Sequence, residues 1–485
     1  MRRAGAGFLQ LHLPGRSPRP SPADPSAAQF GLAFLVAGAF FMENLDGTII
    51  ATPAPVIARQ FGVAPTAIGL AMTAYLVAAG ALIPVSGWVC DRWGARRTFT
   101  AALVVFTATS GFCAASSSLG ELVALRVLQG AAGALMVPVG RLVVLRETEK
   151  ADLARAIAVF TWPALVAPIL APILGGALAA ASWRWIFLVT LPLGAVAIVA
   201  AHRMVPQVRA PDTKRLDTLG FVVSAFSLAL LMFATSLLGS GRILWAPVAA
   251  CAVAGCVLAA LGIRHFLHAR DPLIELSALR VRTFRVAHAG GSLYRAAVFA
   301  VPFLLPLMFE EEFGWTPVHA GSMVTFVFVG NLAAKPSTGP LLRRFGFRTV
   351  ITASALMVGV TAAATGLTTA STGPLVLGLL LFAGGAFRSI GFTGYNILAF
   401  ADIDQGAMTH ANTLASTIQQ LAQGVSVALG VLALRAATAV SGSSQAMAFR
   451  LAFAALGALA IIAAVEAAAL PRDAGAHLNA RPATT

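Results

Sequence analysis

Gly87-Trp-Val-Cys-Asp91-Arg92-Trp-Gly94-Ala-Arg96-Arg97 is a short charged stretch set between two long apolar segments. It recurs. At Gly339-Pro-Leu-Leu-Arg343-Arg344-Phe-Gly346-Phe-Arg348 the same spacing of Gly, Arg, Gly and Arg comes back between two further apolar segments, and the frame fits without a gap. A repeat so far apart in the chain predicts two halves that share one architecture. The copies differ at one informative place: Asp91 in the first is matched by Arg343 in the second.

The flanking segments decide the fold class. The chain of 485 residues is 58% hydrophobic and only 11% charged, and it contains many apolar runs of about 20 residues, the length that crosses roughly 30 Å of hydrocarbon. An all-α polytopic membrane protein is expected. A soluble fold would leave this surface facing water, and a β-barrel would show short alternating segments. The pattern predicts fourteen transmembrane helices, at 30–52, 66–89, 98–117, 120–143, 155–178, 184–204, 217–238, 243–263, 286–309, 317–338, 348–369, 374–399, 413–435 and 449–470. The charged stretch follows the second helix and its copy follows the tenth, so helices 1–6 and 9–14 read as two six-helix repeats with two inserted helices between them. The expected organisation is a disordered cytoplasmic tail at 1–28, the first repeat at 29–204, a linker carrying the inserted helices at 205–285, the second repeat at 286–471 and a cytoplasmic tail at 472–485. The linker after the eighth helix, which includes Asp271-Pro-Leu-Ile-Glu275, is long and polar enough to lie along the membrane surface.

A net charge of +15 would suggest nucleic acid in a soluble protein. In a membrane protein it is read by location, because basic loops stay on the cytoplasmic side. Placing both termini in the cytoplasm puts 26 of the 34 Lys and Arg residues there. Five lie outside (Arg59, Arg184, Arg242, Arg435 and Arg450), and Arg126, Arg295 and Arg388 fall within helices. The loop from Ala401 to Asn412 departs from this pattern, with Asp402 and Asp404 and no Lys or Arg. Cys90, Cys113, Cys251 and Cys256 lack metal-ligand spacing and read as small packing residues. No Walker-type Gly-rich loop with Lys is present, and no cofactor, metal, enzyme activity or nucleic-acid partner is expected. The abundance of Arg over Lys suggests a GC-rich bacterial genome, and hence the inner membrane of a bacterium.

Charges within apolar helices are costly and tend to face a cavity or a partner. Glu43 and Asp46 in helix 1 share a helix face, as do Arg126, Gln129, Gly130 and Gly133 in helix 4. At 1.5 Å per residue Asp46 and Arg126 lie at matching depth, so an ion pair is geometrically open to them, either as a proton-coupling device or as a static packing element. Arg295 and Arg388 have no deep carboxylate in their own half. Their partners are either Glu43 and Asp46 reaching across, or water or an anionic substrate. Glu310-Glu311-Glu312 reads as a solvated rim. Pro163, Pro168 and Pro172 with Gly175 and Gly176 suit helix 5 to a kink or pivot. Phe40, Phe41, Met42, Phe299 and Phe303 are candidate lining for an apolar pocket, with Gln129, Arg295 and Arg388 as its polar candidates.

On these residues the chain resembles the major facilitator superfamily, and within it the fourteen-helix drug:proton antiporter branch. Gly87 to Arg97 resembles the family's loop between helices 2 and 3, where Asp91 and Arg92 would form a charge-dependent latch. Leu45-Asp46-Gly-Thr48-Ile49-Ile50 is similar to its first-helix motif with a membrane-embedded Asp, and Arg126-Val-Leu-Gln129-Gly130 to the fourth-helix motif implicated in proton coupling. Pro168, Pro172, Gly175 and Gly176 resemble the fifth-helix antiporter motif, with Ala167 and Ala171 where the family usually has Gly. Trp183 to Leu188 resembles the start of the sixth helix.

The resemblance implies a secondary transporter that exports amphipathic or hydrophobic small molecules in exchange for protons by alternating access. The gate would comprise Gly87, Asp91, Arg92, Gly94, Arg96 and Arg97 with Gly339, Arg343, Arg344, Gly346 and Arg348. Expected partners are the lipid bilayer, protons and a small-molecule substrate, with accessory envelope proteins left open. A permease specific for one metabolite, an anionic one included, is the rival expectation, and a sensor that transports nothing is a third.

Overall fold

The computed structural model describes residues 25–50, 52–63, 65–148, 152–207, 215–238, 245–442, 444–471 and 474. The two tails lie almost wholly outside these residues. Among the described residues there are helices and no strands. The long elements are α1 (Pro25–Ile49), α2 (Gly69–Leu82, carried on through Ile83–Val85 and Ser86–Trp93), α3 (Ala95–Ala115), α4 (Leu119–Glu147), α5 (Leu153–Ala181), α6 (Thr190–Met204), α7 (Thr218–Leu238) and α8 (Trp245–His268). After them come α9 (Gly290–Leu307, entered from Arg282–His288), α10 (Pro317–Ala333), α11 (Lys335–Gly366), α12 (Pro374–Ala401), α13 (Met408–Ser441) and α14 (Gln445–Ala468). Twelve segments among the described residues are long and apolar enough to cross a membrane. The expected fifth and tenth spans are not among those twelve; they are present as the continuous helix α5 and the 17-residue α10. Large apolar side chains such as Phe34, Phe112, Val196, Val253, Leu375 and Val465 stand exposed on the outer surface, as lipid-facing positions require.

The charged stretch is more helical than its polarity suggests. Helix continues through Trp93 and restarts at Ala95, so the whole break is Gly94, with φ 87° and ψ 151°. The second copy breaks at Gly346, with φ 77° and ψ 161° inside α11. Both positions lie in a region of backbone space that is open essentially to glycine alone, which is why the spacing of the glycines survives in both copies. At the opposite ends, ordinary caps start the helices: Ser118 accepts from the Glu121 N–H at 3.3 Å, and Glu121 accepts from the Ser117 N–H at 2.8 Å.

Helix pairing is alike in the two groups of six. In the first, α1 packs on α5 and α6, α2 on α4, and α3 on α4 and α6. In the second, α9 packs on α13 and α14, α10 on α12, and α11 on α12 and α14. The hairpin α7–α8 docks between the groups, where Met232 of α7 fills the space above Gly80 of α2 and reaches Gly424 of α13. Thr73 and Ser236 add a hydrogen bond of 2.6 Å to this contact. In the linker after α8, Leu273, Ile274 and Ala278 turn inward and are buried in the main core, while Asp271 and Arg280 are exposed.

Apolar burial is distributed unevenly along the helix axes. Toward the end that carries Gly94 and Gly346, one continuous core runs through both groups of helices, from Cys90, Phe99 and Leu145 to Phe347, Ile403 and Met408. Toward the other end the groups have separate cores, one around Ile49, Ile57 and Trp183 and one around Leu304, Phe309 and Phe449. The halves are therefore sealed together at the glycine-loop end.

Candidate functional site

Asp46 on α1, Arg126 on α4 and Gln129 one turn further along α4 meet in a fully buried cluster. The Arg126 Nη1 donates to the Asp46 carboxylate and also to Gln129 Oε1 at 2.8 Å, while Gln129 Nε2 donates to Asp46 Oδ1 at 3.1 Å. The Tyr75 ring of α2 lies 4.4 Å from the guanidinium carbon, a cation–π contact in a desolvated setting. Glu43 lies close to Gly133 and to the Tyr75 hydroxyl, so it borders the cluster without pairing with Arg126. Arg126 Nε and the Tyr75 hydroxyl are buried without hydrogen-bond partners. A carboxylate held by one guanidinium and one amide can exchange its proton only by leaving Arg126 uncompensated, which couples its charge state to the arrangement of three helices.

Gln129 thus stands within the ion-pair cluster. Met42 is buried in the main core, and Phe40 packs against that core while Phe41 packs against the separate core near Ile49. Phe303 packs against the core around Leu304. Phe299 lies edge-on to Phe392, with ring centroids 6.2 Å apart, and beneath the Arg388 guanidinium at 5.6 Å. Arg388 borders a water-sized cavity of about 30 Å³ lined by Val298, Pro302, Val327 and Leu381. Glu310 and Glu311 are exposed just beyond the C-terminal end of α9, and Glu311 accepts from Gln445 at 3.2 Å.

The residues of the charged stretch divide between the halves. Asp91 lies 3.7 Å from the Arg146 Nη2 of α4, and Arg146 also donates to Thr409 at the start of α13. Gly87 lets α13 come close: a methyl group there would sit 2.3 Å from the Thr413 hydroxyl. Arg96 Nε donates to the Val205 carbonyl at 2.6 Å, bracing the end of α6, and Arg97 is exposed. Arg92 is exposed as well. In the second copy Arg343 and Arg344 are exposed, Arg344 lying 5.3 Å from the Phe345 ring; Arg348 is half-buried and Gly339 sits beside Arg343. Through Gly87 the first copy makes a contact across the seam to α13.

Helix α5 runs unbroken from Leu153 to Ala181 and packs along α1. Its expected kink is not seen as an interruption of the helix. Gly175 sits against the Ile49 carbonyl, Gly176 is exposed, and Ala167 and Ala171 are fully buried, so alanine is small enough for this contact. The side chains of Pro168 and Pro172 lie outside the described residues.

Arg141 and Lys335, within the expected helices 120–143 and 317–338, are buried cations as well. Arg141 reaches across the seam, donating through Nε to Asn412 Oδ1 at 2.7 Å, through Nη1 to Gln419 Oε1 at 2.8 Å, and to the Ser416 hydroxyl, all on α13. Asn412 Nδ2 returns a hydrogen bond of 2.9 Å to the Pro138 carbonyl of α4. This explains the loop without Lys or Arg: the cations that face it, Arg141 and Arg146, come from the other half. Lys335 Nζ donates to Thr393 Oγ1 at 2.7 Å. The readable signal was the polar set Asn396, Asn412, Ser416 and Gln419 in otherwise apolar helices, which marks a buried polar partner.

The family model described as Major Facilitator Superfamily matches residues 32–274 and 287–485. A protein of Escherichia fergusonii bearing the name "Putative multidrug resistance protein MdtD" is 35% identical over 406 residues, covering 83% of this chain and 85% of that one. Its namesake from Escherichia coli SMS-3-5 is 34% identical over the same length, with the same coverage of each chain. Among solved structures, the human organic anion transporter MFSD10 (TETRAN) superimposes with a TM-score of 0.60 at 16% identity, covering 91% of this chain and 98% of that one. The proton:xylose symporter XylE does so with a TM-score of 0.62 at 13% identity, covering 91% and 95%. With the family model matched along nearly all of the helical body, the chain belongs to the Major Facilitator Superfamily.

Proposed function

We propose that this integral membrane transporter exports amphipathic or hydrophobic small molecules in exchange for protons, with Asp46, Arg126 and Gln129 as the coupling cluster and Glu43 beside it. The observation that carries the reading is a fully buried carboxylate held by one guanidinium and one amide across two helices. The name of the Escherichia relatives supports a drug-like substrate. The matching helix pairing on either side of the α7–α8 hairpin supports two six-helix repeats with two inserted helices, fourteen spans in all when α5 and α10 are counted.

In this reading the glycine-loop end is cytoplasmic, because the basic residues gather there, and both termini lie on that side of a bacterial inner membrane. The sealed end then closes the cytoplasmic path, and Gly87, Asp91 and Arg146 serve as the latch against α13. A proton can drive the switch only if it binds one facing state more tightly than the other. Reconstituted into proteoliposomes with an imposed pH gradient, the protein is expected to move a lipophilic dye such as ethidium with the gradient, and Asp46→Asn to abolish that coupling. Unchanged gradient-driven transport by Asp46→Asn would sink the proposal.

A further inference from the structure

We propose that the seam between the two halves holds an anion-binding site for aromatic carboxylates, built on Arg141 and Arg295. The proposal rests on the transporter reading and adds to it the charge of a ligand.

Arg295 of α9 is almost wholly buried, at 1% exposure. Its Nη1 donates to the Ala287 carbonyl at 3.1 Å, its Nη2 reaches Asn396 Oδ1 at a long 3.3 Å, and its Nε has no partner. Asn396 Oδ1 also accepts from Gln419 Nε2 at 3.1 Å, and Gln419 Oε1 accepts from Arg141. Two guanidiniums from opposite halves are therefore joined by a chain of two neutral amides. Among the described residues neither pairs with a carboxylate. Asp46 is engaged by Arg126, and Glu466, which lies against Gly290 of α9, forms no ion pair with Arg295. Lys335 and Arg388 add two more buried cations against or on α12, again without a carboxylate partner.

Buried like charges without a counter-charge are costly, and amides compensate them only in part. A carboxylate entering beside Asn396 and Gln419, both half-buried and so reachable, would replace the long amide contact with charge-assisted hydrogen bonds to the guanidiniums. The Phe400 ring lies 5.7 Å from the Arg141 guanidinium and the Phe392 ring 5.6 Å from that of Arg295. These rings favour an aromatic carrier of the charge. Because Arg141 belongs to the first half and Arg295 to the second, such a ligand would draw the halves together.

The test is direct binding, measured by calorimetry on the full chain in phosphatidylcholine nanodiscs with phthalate and its neutral analogue phthalamide. Phthalate is expected to bind and phthalamide not. Arg141→Gln and Arg295→Gln should each weaken phthalate binding about tenfold or more. Arg295→Lys, which keeps the charge and loses the fork, should fall between wild type and Arg295→Gln, and it carries the test if Arg295→Gln does not fold. Gradient-driven ethidium transport is measured on the same wild-type preparation: its absence with phthalate binding intact overturns the coupling reading alone, and the absence of phthalate binding with transport intact overturns this site alone, so the two failures are separable. The absence of phthalate binding, equal binding of phthalamide, or unchanged affinity in the arginine variants would each overturn the site.

Discussion

Asp46 and Gln129 illustrate how much of the buried chemistry hangs on single hydrogen bonds. Gln129 is the only neutral side chain that both donates to Asp46 and accepts from Arg126 among the described residues. Gln129→Ala should cost about 1–3 kcal/mol, because it strips two charged groups of a partner while leaving them buried. A thermal melt of the purified protein in nanodiscs checks this. In the Asp46→Asn background the same change should cost much less, since the two sites share one network. At this scale the chain is partly legible. Asp46 and Arg126 announce themselves as charges deep in apolar helices at equal depth. Arg141 does not, since it lies near a helix end and its partners are some 270 positions away in sequence. Only the packing of α4 on α13 brings them together.

Elements were easier to read than their junctions. Runs of about 20 apolar residues declare the helices, but the charged stretch looks like a loop and is a helix with one glycine break, because backbone hydrogen bonding is sustained through Trp93. The linker after α8 is polar in composition, yet its few apolar side chains, Leu273 and Ile274 among them, are buried and anchor it. Asp217 organises this corner. It caps α7 through the Gly220 N–H at 2.8 Å, accepts from His265 of α8 at 2.8 Å, and accepts from the Leu273 N–H at 3.2 Å. Burial alone would raise its pKa, yet the hydrogen bonds from Gly220, His265 and Leu273 outweigh it and hold the carboxyl below its ordinary range. A depressed folded value stabilises the fold above the ordinary carboxylate range, and that stabilisation is lost as pH falls through the folded value. Asp217→Asn should therefore lower the melting temperature near neutral pH, with the gap from wild type narrowing below about pH 4. A gap that stays constant down to acid pH would contradict the assignment.

For the whole molecule, the repeat of the charged stretch was the most informative signal in the sequence. It predicts two related groups of helices, and the helix pairing is alike in the two groups of six. What it does not convey is how closely a copy approaches the other half. Gly87 comes close to Thr413 of α13, while Arg343 and Arg344 of the second copy are exposed. Gly87→Val should hold the halves apart at the glycine-loop end and shift the population toward the arrangement open there. Spin labels at the exposed positions Arg97 and Arg344 would report it as a longer distance distribution than in the otherwise unaltered labelled protein. An unchanged distribution would mean that the close approach at Gly87 is incidental.

The single core that spans both halves at the glycine-loop end has a thermal consequence. Opening there must expose part of an apolar interface to water, and hydration of apolar surface raises heat capacity. Opening at the other end parts two cores that are already separate, so the two directions of the cycle should differ in their response to temperature. The step that unseals the shared core is expected to give a curved Eyring plot, and the opposite step one closer to linear. Rates of spin-label distance change measured between roughly 5 and 40 °C would distinguish them.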